Sequence, residues 1–313
     1  MKNLICLLFI TLPIYSLETV LIAVPPAQLF DKVVEGIEEE LVSEYTLAKL
    51  SITEKTTLQN FAEAIDSINP RIIVLIGNRP ISLLFEFQKM RPDHNPHIPS
   101  VAIMAIGIDY ATKKLSNATG IHYDVPIVST VTSLRSVINK PITTLGIVHR
   151  SIMEDMISTY KTYCKKEKIK TVSLTIPDKL LKRPFRMRRK IKTFLENTKP
   201  DLFWIPTDNH FFTNQLIFRV WKPLSRNPGI PIVVGIEALI GKNLESGMMA
   251  VVPDYVNLGI QTAQVIFEVE RKNWNASAVP VQVPLSLYKI INVSKSEDIF
   301  RKEGIKYIDK VIE

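Results

Sequence analysis

Cysteine, histidine and glycine are all scarce, at two, five and eleven in 313 residues, and the two cysteines are Cys6 and Cys164. So few cysteines exclude a disulfide-stapled scaffold, and no Cys/His set has the spacing of a zinc site. The glycines form no Gly-x-Ser-x-Gly elbow, no Walker loop and no dinucleotide-binding triplet, which removes the commonest hydrolase, nucleotidase and oxidoreductase signatures. The chain is therefore read as a non-enzyme without metal or cofactor. Long apolar runs are missing too. The run Leu4 to Leu12 falls short of the ~20 residues a membrane-spanning helix needs.

What is present is a globular composition, 46% hydrophobic and 22% charged, long enough for two domains. The formal net charge is +8, but Lys and Arg are spread over most of the chain. One cluster stands out between Lys179 and Lys192, where Lys182, Arg183, Arg186, Arg188, Arg189 and Lys190 accompany Phe185 and Met187. Such a cluster can in principle dock on phosphates or anionic lipid, but lacking an aromatic platform or a nucleic-acid motif it reads as a solvated helix flank, and no nucleic acid is expected as partner. At the N-terminus Lys2, the apolar run, Pro13 and the small Ser16 make a secretory signal pattern over residues 1–16. Export to the periplasm follows, with Cys164 the sole cysteine of the mature chain, packed on a helix face with Ile157 and Tyr160.

From Thr19 onward, buried strand-like runs alternate with amphipathic helical stripes. Thr19 to Val24, Tyr45 to Leu50, Arg71 to Ile76 and His97 to Ile106 read as strands, each of the first three followed by a helix. Asp109 to Asp124 reads as a long polar loop that breaks the rhythm. A second run follows, with strands Thr143 to Val148, Lys170 to Ile176, Leu202 to Ile205 and Ile230 to Val234. The tail contains Met248 to Val252, a helix through Val256 and Phe267, three short extended pieces and a closing charged helix. This pattern predicts an α/β fold of two doubly wound parallel-sheet lobes joined by a multi-crossover hinge. The expected lobes are residues 17–124 with 254–282, and 125–253 with 283–313. The hinge is expected at Tyr123 to Pro126, Val252 to Tyr255 and Val281 to Pro284. A hinged, exported solute-binding protein is built in this way.

Several segments in order carry a resemblance: Ile76-Gly77-Asn78-Arg79-Pro80, Thr119-Gly120-Ile121 with Asp124-Val125-Pro126, Gly146-Ile147-Val148, Trp204-Ile205-Pro206-Thr207-Asp208-Asn209, and Val252-Pro253-Asp254-Tyr255 with Leu258-Gly259. Together they resemble the ABC-transporter solute-binding family of the tryptophan- and tyrosine-binding type, over nearly the whole mature chain. The resemblance implies a type I periplasmic binding fold, a small ligand between the lobes, and a permease with its ATPase as partners. The membrane is then reached only through the permease, and the protein is expected to be a monomer. Where the family carries small residues, this chain has Asn78-Arg79 and His149-Arg150, so a more polar pocket is expected.

Open α/β sheets bind ligands at the carboxyl ends of their strands, beside helix N-termini with unpaired N–H groups. The candidates there are Pro26 in the turn after the first strand, Asn78 and Arg79, His149, Asp208, Asn209, Glu237 and Asp254. Arg79 suits a ligand carboxylate and Asp208 a ligand amine, which together describe a clamp for an amino-acid-like zwitterion. The alternatives are that Arg79 points to solvent and Asp208 caps the next helix. Tyr123, Tyr255 and Trp204 read as core or hinge aromatics. The competing function is a periplasmic sensing or structural module that keeps the fold without transport.

Overall fold

A computed structural model describes residues 17–92, 97–208, 210–226, 230–241, 243–295 and 299–312. The signal-peptide assignment and the candidate Asn209 lie outside the described residues. The first sheet has the order β2-β1-β3-β4-β5 and is parallel throughout. Its strands are β1 (Thr19–Val24), β2 (Thr46–Ser51), β3 (Ile72–Ile76), β4 (Ser100–Ile103) and β5 (Ala118–Gly120). They alternate with α1 (Gln28–Leu41), α2 (Leu58–Ile68), α3 (Asn78–Met90) and α4 (Ile108–Lys114). The expected polar loop at Asp109 to Asp124 is thus one more helix and strand, each too short to show a period in the sequence.

α5 (Ile127–Leu134) opens the second lobe, followed by β6 (Thr144–Arg150), α6 (Glu154–Lys166), β7 (Lys170–Ile176), α7 (Asp178–Leu181), α8 (Pro184–Thr198) and β8 (Leu202–Ile205). Next come a helical stretch of α9 (Asn214–Leu216), a π-turn over Ile217–Trp221 and α10 (Lys222–Ser225). β9 (Ile232–Val234), β10 (Met249–Pro253), α11 (Tyr255–Arg271), β11 (Leu287–Asn292) and β12 (Lys310–Ile312) complete the chain. The second sheet runs β12-β11-β10-β9-β8-β6-β7. Its neighbours pair in parallel except where β11 lies antiparallel to β10, so β11 and β12 together run opposite to the other five strands. The chain closes on β12 where a charged helix was expected; only Lys302–Tyr307, a 3-10 segment, is helical there.

The inner strands of both sheets, such as β3, β8 and β10, are buried on both faces, which is why they read as unbroken apolar runs. Val20, Ile22, Ile72 and Val74 enter one core, while Leu21, Ala23, Ile73 and Leu75 enter the other on the opposite face. In the second sheet Leu145, Ile147, Leu202 and Trp204 face one core, and Val148, Phe203 and Ile205 the other. Three segments connect the lobes. Ile121 bridges Gln282, His122 N donates to Gln282 O, and Asp254 N donates to Ser286 O at 3.0 Å. The crossovers at 121–126, 254 and 282–286 are thereby laced into one strap.

Candidate functional site

β5 and β10 both run into the strap at their carboxyl ends. Since the other parallel strands share their directions, the carboxyl edges of both sheets lie on the strap side. The loops there are Val24 to Ala27, Gly77 to Arg79 and Met104 to Gly107 in the first lobe. In the second lobe they are Arg150-Ser151, Ile176 to Asp178, Pro206 to Asp208 and Gly235 to Glu237. This is where an open α/β sheet presents free backbone groups and polar side chains.

The first-lobe loops are preorganised from within. Gly77, before α3, takes φ +88°, a conformation that favours glycine. Asn78 Oδ1 accepts from Ile106 N at 3.2 Å, and Arg79 Nη2 donates to the Thr56 carbonyl at 2.9 Å. Arg79 makes no ion pair among the described residues, so its guanidinium is tethered but electrically unmatched. Pro26 is exposed on the neighbouring turn.

In the second lobe strand alternation separates two adjacent residues. His149 continues the face of Leu145 and Ile147 and is fully buried; its Nδ1 lies 3.0 Å from the Arg150 carbonyl oxygen, while Nε2 has no partner. Arg150, one residue on, turns to the other face. Its Nε donates to Asp208 Oδ2 at 2.5 Å and its Nη2 to Asp208 Oδ1 at 3.2 Å, with Asp178 at 3.3 Å from Nη1. The Arg150 and Asp208 side chains are only 12% and 6% exposed. Burial works against the Arg150 charge, but the hydrogen bonds and charge of Asp208, then of Asp178, outweigh it and hold the proton more firmly. Asp208 Oδ1 also accepts from His210 N at 2.9 Å. Asp208 therefore does not cap the following helix, as one alternative had it; Thr213 does, accepting from Leu216 N.

Asp124, on the first crossover, is the residue the sequence reading left out of the site. Its Oδ1 is shut off from solvent and has no hydrogen-bond partner. Burial pushes its carboxyl up to about 6, against the pull of the Thr207 hydroxyl and with a further push from Asp208. The folded chain thus keeps this proton up to about pH 6, whereas an unfolded aspartate loses it near 4. Between those values the folded state binds the proton and the unfolded state does not, so stability falls as pH rises through that window. The loss is on the order of 2–3 kcal/mol. Asp124→Asn is expected to remove this slope and to be the more stable form at pH 7, as read by denaturant unfolding at a series of pH values.

Tyr123 and Tyr255, from different crossovers, hydrogen-bond through their hydroxyls, and burial makes both phenols weaker acids than an ordinary tyrosine. Tyr255 packs against cores of both lobes, so the expected hinge aromatics do meet at the strap. A metal-binding cluster of three or more acidic, histidine or cysteine side chains is absent among the described residues. No helix there is long and apolar enough to cross a membrane.

No family model matches the sequence, and no curated protein does. Solved structures match it along most of its length. A ligand-free, open substrate-binding protein with adhesive properties from Clostridium difficile aligns with TM-score 0.66 at 16% identity, over 94% of this chain and 99% of that one. The ABC domain in complex with L-Trp from Streptococcus pneumonia gives 0.57 and 16%, over 95% and 100%. The fold is that of the type I periplasmic binding proteins. A probable maltose operon transcriptional repressor from Staphylococcus, at TM-score 0.53 and 12% identity over 90% and 99%, shares it as well. At such identities the likeness concerns the fold alone.

Within this binding-protein fold the remaining candidates have local structural partners. Asp254 caps α11, accepting from Asn257 N at 3.0 Å. Glu237 follows β9 and pairs with Lys310 of the closing strand at 2.7 Å, close enough to Tyr123 and Tyr255 to influence both. Cys164 is buried, its thiol pushed up to about 11, a packing residue. Asn117 Nδ2 donates to the His97 and Trp274 carbonyls and Asn292 Nδ2 to that of Ile240, so both amides serve the fold.

Proposed function

We propose that this chain is an exported solute-binding protein of an ABC importer, whose lobes, 17–124 with 254–282 and 125–253 with 283–313, close on a small polar ligand at the strap. The observation that carries this reading is Asp124: a carboxylate with a bare inward oxygen, on the crossover between the two carboxyl sheet edges. Such an oxygen suits an amine or another cationic hydrogen-bond donor. Arg79 and the N-terminus of α3 supply the matching anion site in the first lobe. Thr207 and the Arg150–Asp208 pair line the second. The ligand class is amino-acid-like or a small amine or carboxylate, and the partner is a permease with its ATPase. Solved relatives of the fold include a complex with L-Trp and a substrate-binding protein, which supports the class without naming this ligand.

A thermal-shift screen of amino acids, amines and small carboxylates tests the reading. A ligand at a hundred times its Kd stabilises by about 2.7 kcal/mol, which raises Tm by about 4–5 °C in a chain of this size. Small-angle scattering with the best hit should show compaction. Asp124→Asn should abolish the shift for cationic ligands; a full shift in that variant would remove Asp124 from recognition. The second reading, a sensing module, gains from the Arg150–Asp208 pair, which satisfies internally a carboxylate that a transporter would offer to cargo.

A further inference from the structure

α8 and the π-turn at Ile217–Trp221 cover one face of the second sheet, sending Met187, Ile191, Ile217, Val220 and Trp221 into its core. Their outer side carries two phenyl rings in solvent: Phe185 is 60% exposed and Phe218 52%. Rings this exposed are surrounded by cations. The Arg188 and Arg219 guanidiniums lie 5.8 and 5.5 Å from the Phe185 ring centre, and Lys222 Nζ lies 5.9 Å from that of Phe218. Phe185, Arg189 and Lys192 fall on one outward stripe of α8, with Arg186 beside it. Among the described residues Arg186, Arg188, Arg189 and Arg219 make no ion pair. The acids nearby are already engaged, Glu196 with Lys192 at 3.7 Å and Asp201 with the Thr143 and Thr144 amides. Alongside, a groove of about 1460 Å³ runs between α8 and α10 to the N-terminal ends of β8 and β9, with Leu195, Leu224 and Ile232 along it.

We propose that this face docks the protein directly on an anionic phospholipid bilayer, with Phe185 and Phe218 entering the interface and the arginines at phosphate level. Charge complementarity selects the occupant's sign, and the two rings select a bilayer over a soluble polyanion. A polyanion gains from the cations but offers no apolar layer for protruding phenyl groups, whereas a bilayer interface takes both. None of the residues of this face is among those of the strap or the candidate ligand site. The inference is independent of which solute that site holds. It also gives the basic cluster a role in addition to the solvated helix flank, and the protein a membrane contact that needs no permease.

The test is co-sedimentation of the full chain with vesicles of phosphatidylcholine alone or with phosphatidylglycerol added, at low and at high salt. Binding is expected only with phosphatidylglycerol, and it should weaken steeply with salt. Phe185→Ser with Phe218→Ser should weaken it at least about tenfold, and Arg186→Glu with Arg189→Glu more than about a hundredfold. All variants keep residues 1–16, so any contribution of that apolar segment cancels in the comparison. If the double reversal fails to fold, Arg189→Gln, expected to weaken binding about fivefold, carries the same test at an exposed site. Three results would overturn the proposal: no binding to phosphatidylglycerol vesicles, equal binding by parent and arginine variants, or a serine double variant that binds as the parent does. In the last case, competition by soluble polyglutamate would mark the face as one for an acidic protein segment.

Discussion

Replacing Arg150 with methionine is expected to destabilise the folded chain by about 3–5 kcal/mol, the usual effect of removing one partner from a buried ion pair. The Asp208 carboxylate would stay in place at 6% exposure, keeping the His210 amide but losing both guanidinium hydrogen bonds. Methionine fills most of the arginine stem's volume, so the loss reports the stranded charge rather than a cavity. Asp208→Asn in the same background should recover much of it, because asparagine still accepts from the amide and carries no charge. Denaturant unfolding of the two single variants and the double gives the coupling. A loss below about 1 kcal/mol for Arg150→Met would mean a pair as weak as exposed ones are, and Asp208 would then be free to meet a ligand amine. With a strong pair, a ligand reaches that carboxylate only by displacing the arginine. Asp208→Asn would then change stability far more than affinity, and recognition of a cation would pass to Asp124.

The contrast between Asp208 and Asp124 shows what the sequence discloses and where it stops. Parallel strands buried on both faces leave unbroken apolar runs, so the sheets and most of their helices can be read in order from Thr19 to Val252. Carboxyl-end loops follow from that order, which is why Asn78, Arg79, Asp208 and Glu237 are all found at the strap-side edge. Partnership is another matter. Arg150 and Asp208 lie 58 positions apart, and only strand pairing of β6 with β8 brings them together. The period of two in β6 decides that Arg150, and not His149, faces Asp208; a one-residue error in the strand end reverses that answer. Asp124 stood in a loop with no visible period, and the short α4 and β5 hid the unit that places it on the crossover. Reversal of β11 could not be seen either, since an extended segment carries no mark of its direction.

The second large effect is expected where α11 returns the chain to the first lobe. α1 and α11 cross with Gly36 against Gly259, so closely that a methyl group on Gly36 would overlap the Val256 carbonyl and one on Gly259 that of Val33. Neither obstacle is a flexible side-chain tip; both are backbone, which yields only if the whole helix moves. Gly259→Val is therefore expected to cost about 3 kcal/mol or more, the upper end for overpacking. Gly259→Ala should be only slightly milder, because the first carbon already collides. Leu258, Ala263, Ile266 and Val269 of α11 share one core with Val33, Ile37 and Leu41 of α1, so separating the helices opens that core along its length. The displacement also has a functional address. Asp254 and Tyr255 begin α11, and Tyr255 holds Tyr123 on the neighbouring crossover. A helix pushed outward carries Tyr255 with it and breaks the strap's tyrosine pair, so Gly259→Ala should loosen the hinge as well as lower Tm. Hydrogen exchange of the Tyr123 and Tyr255 amides reads the hinge, and thermal unfolding reads the core. Lowered Tm with unchanged exchange at both amides would confine the effect to the helix crossing and separate hinge geometry from the α1–α11 contact.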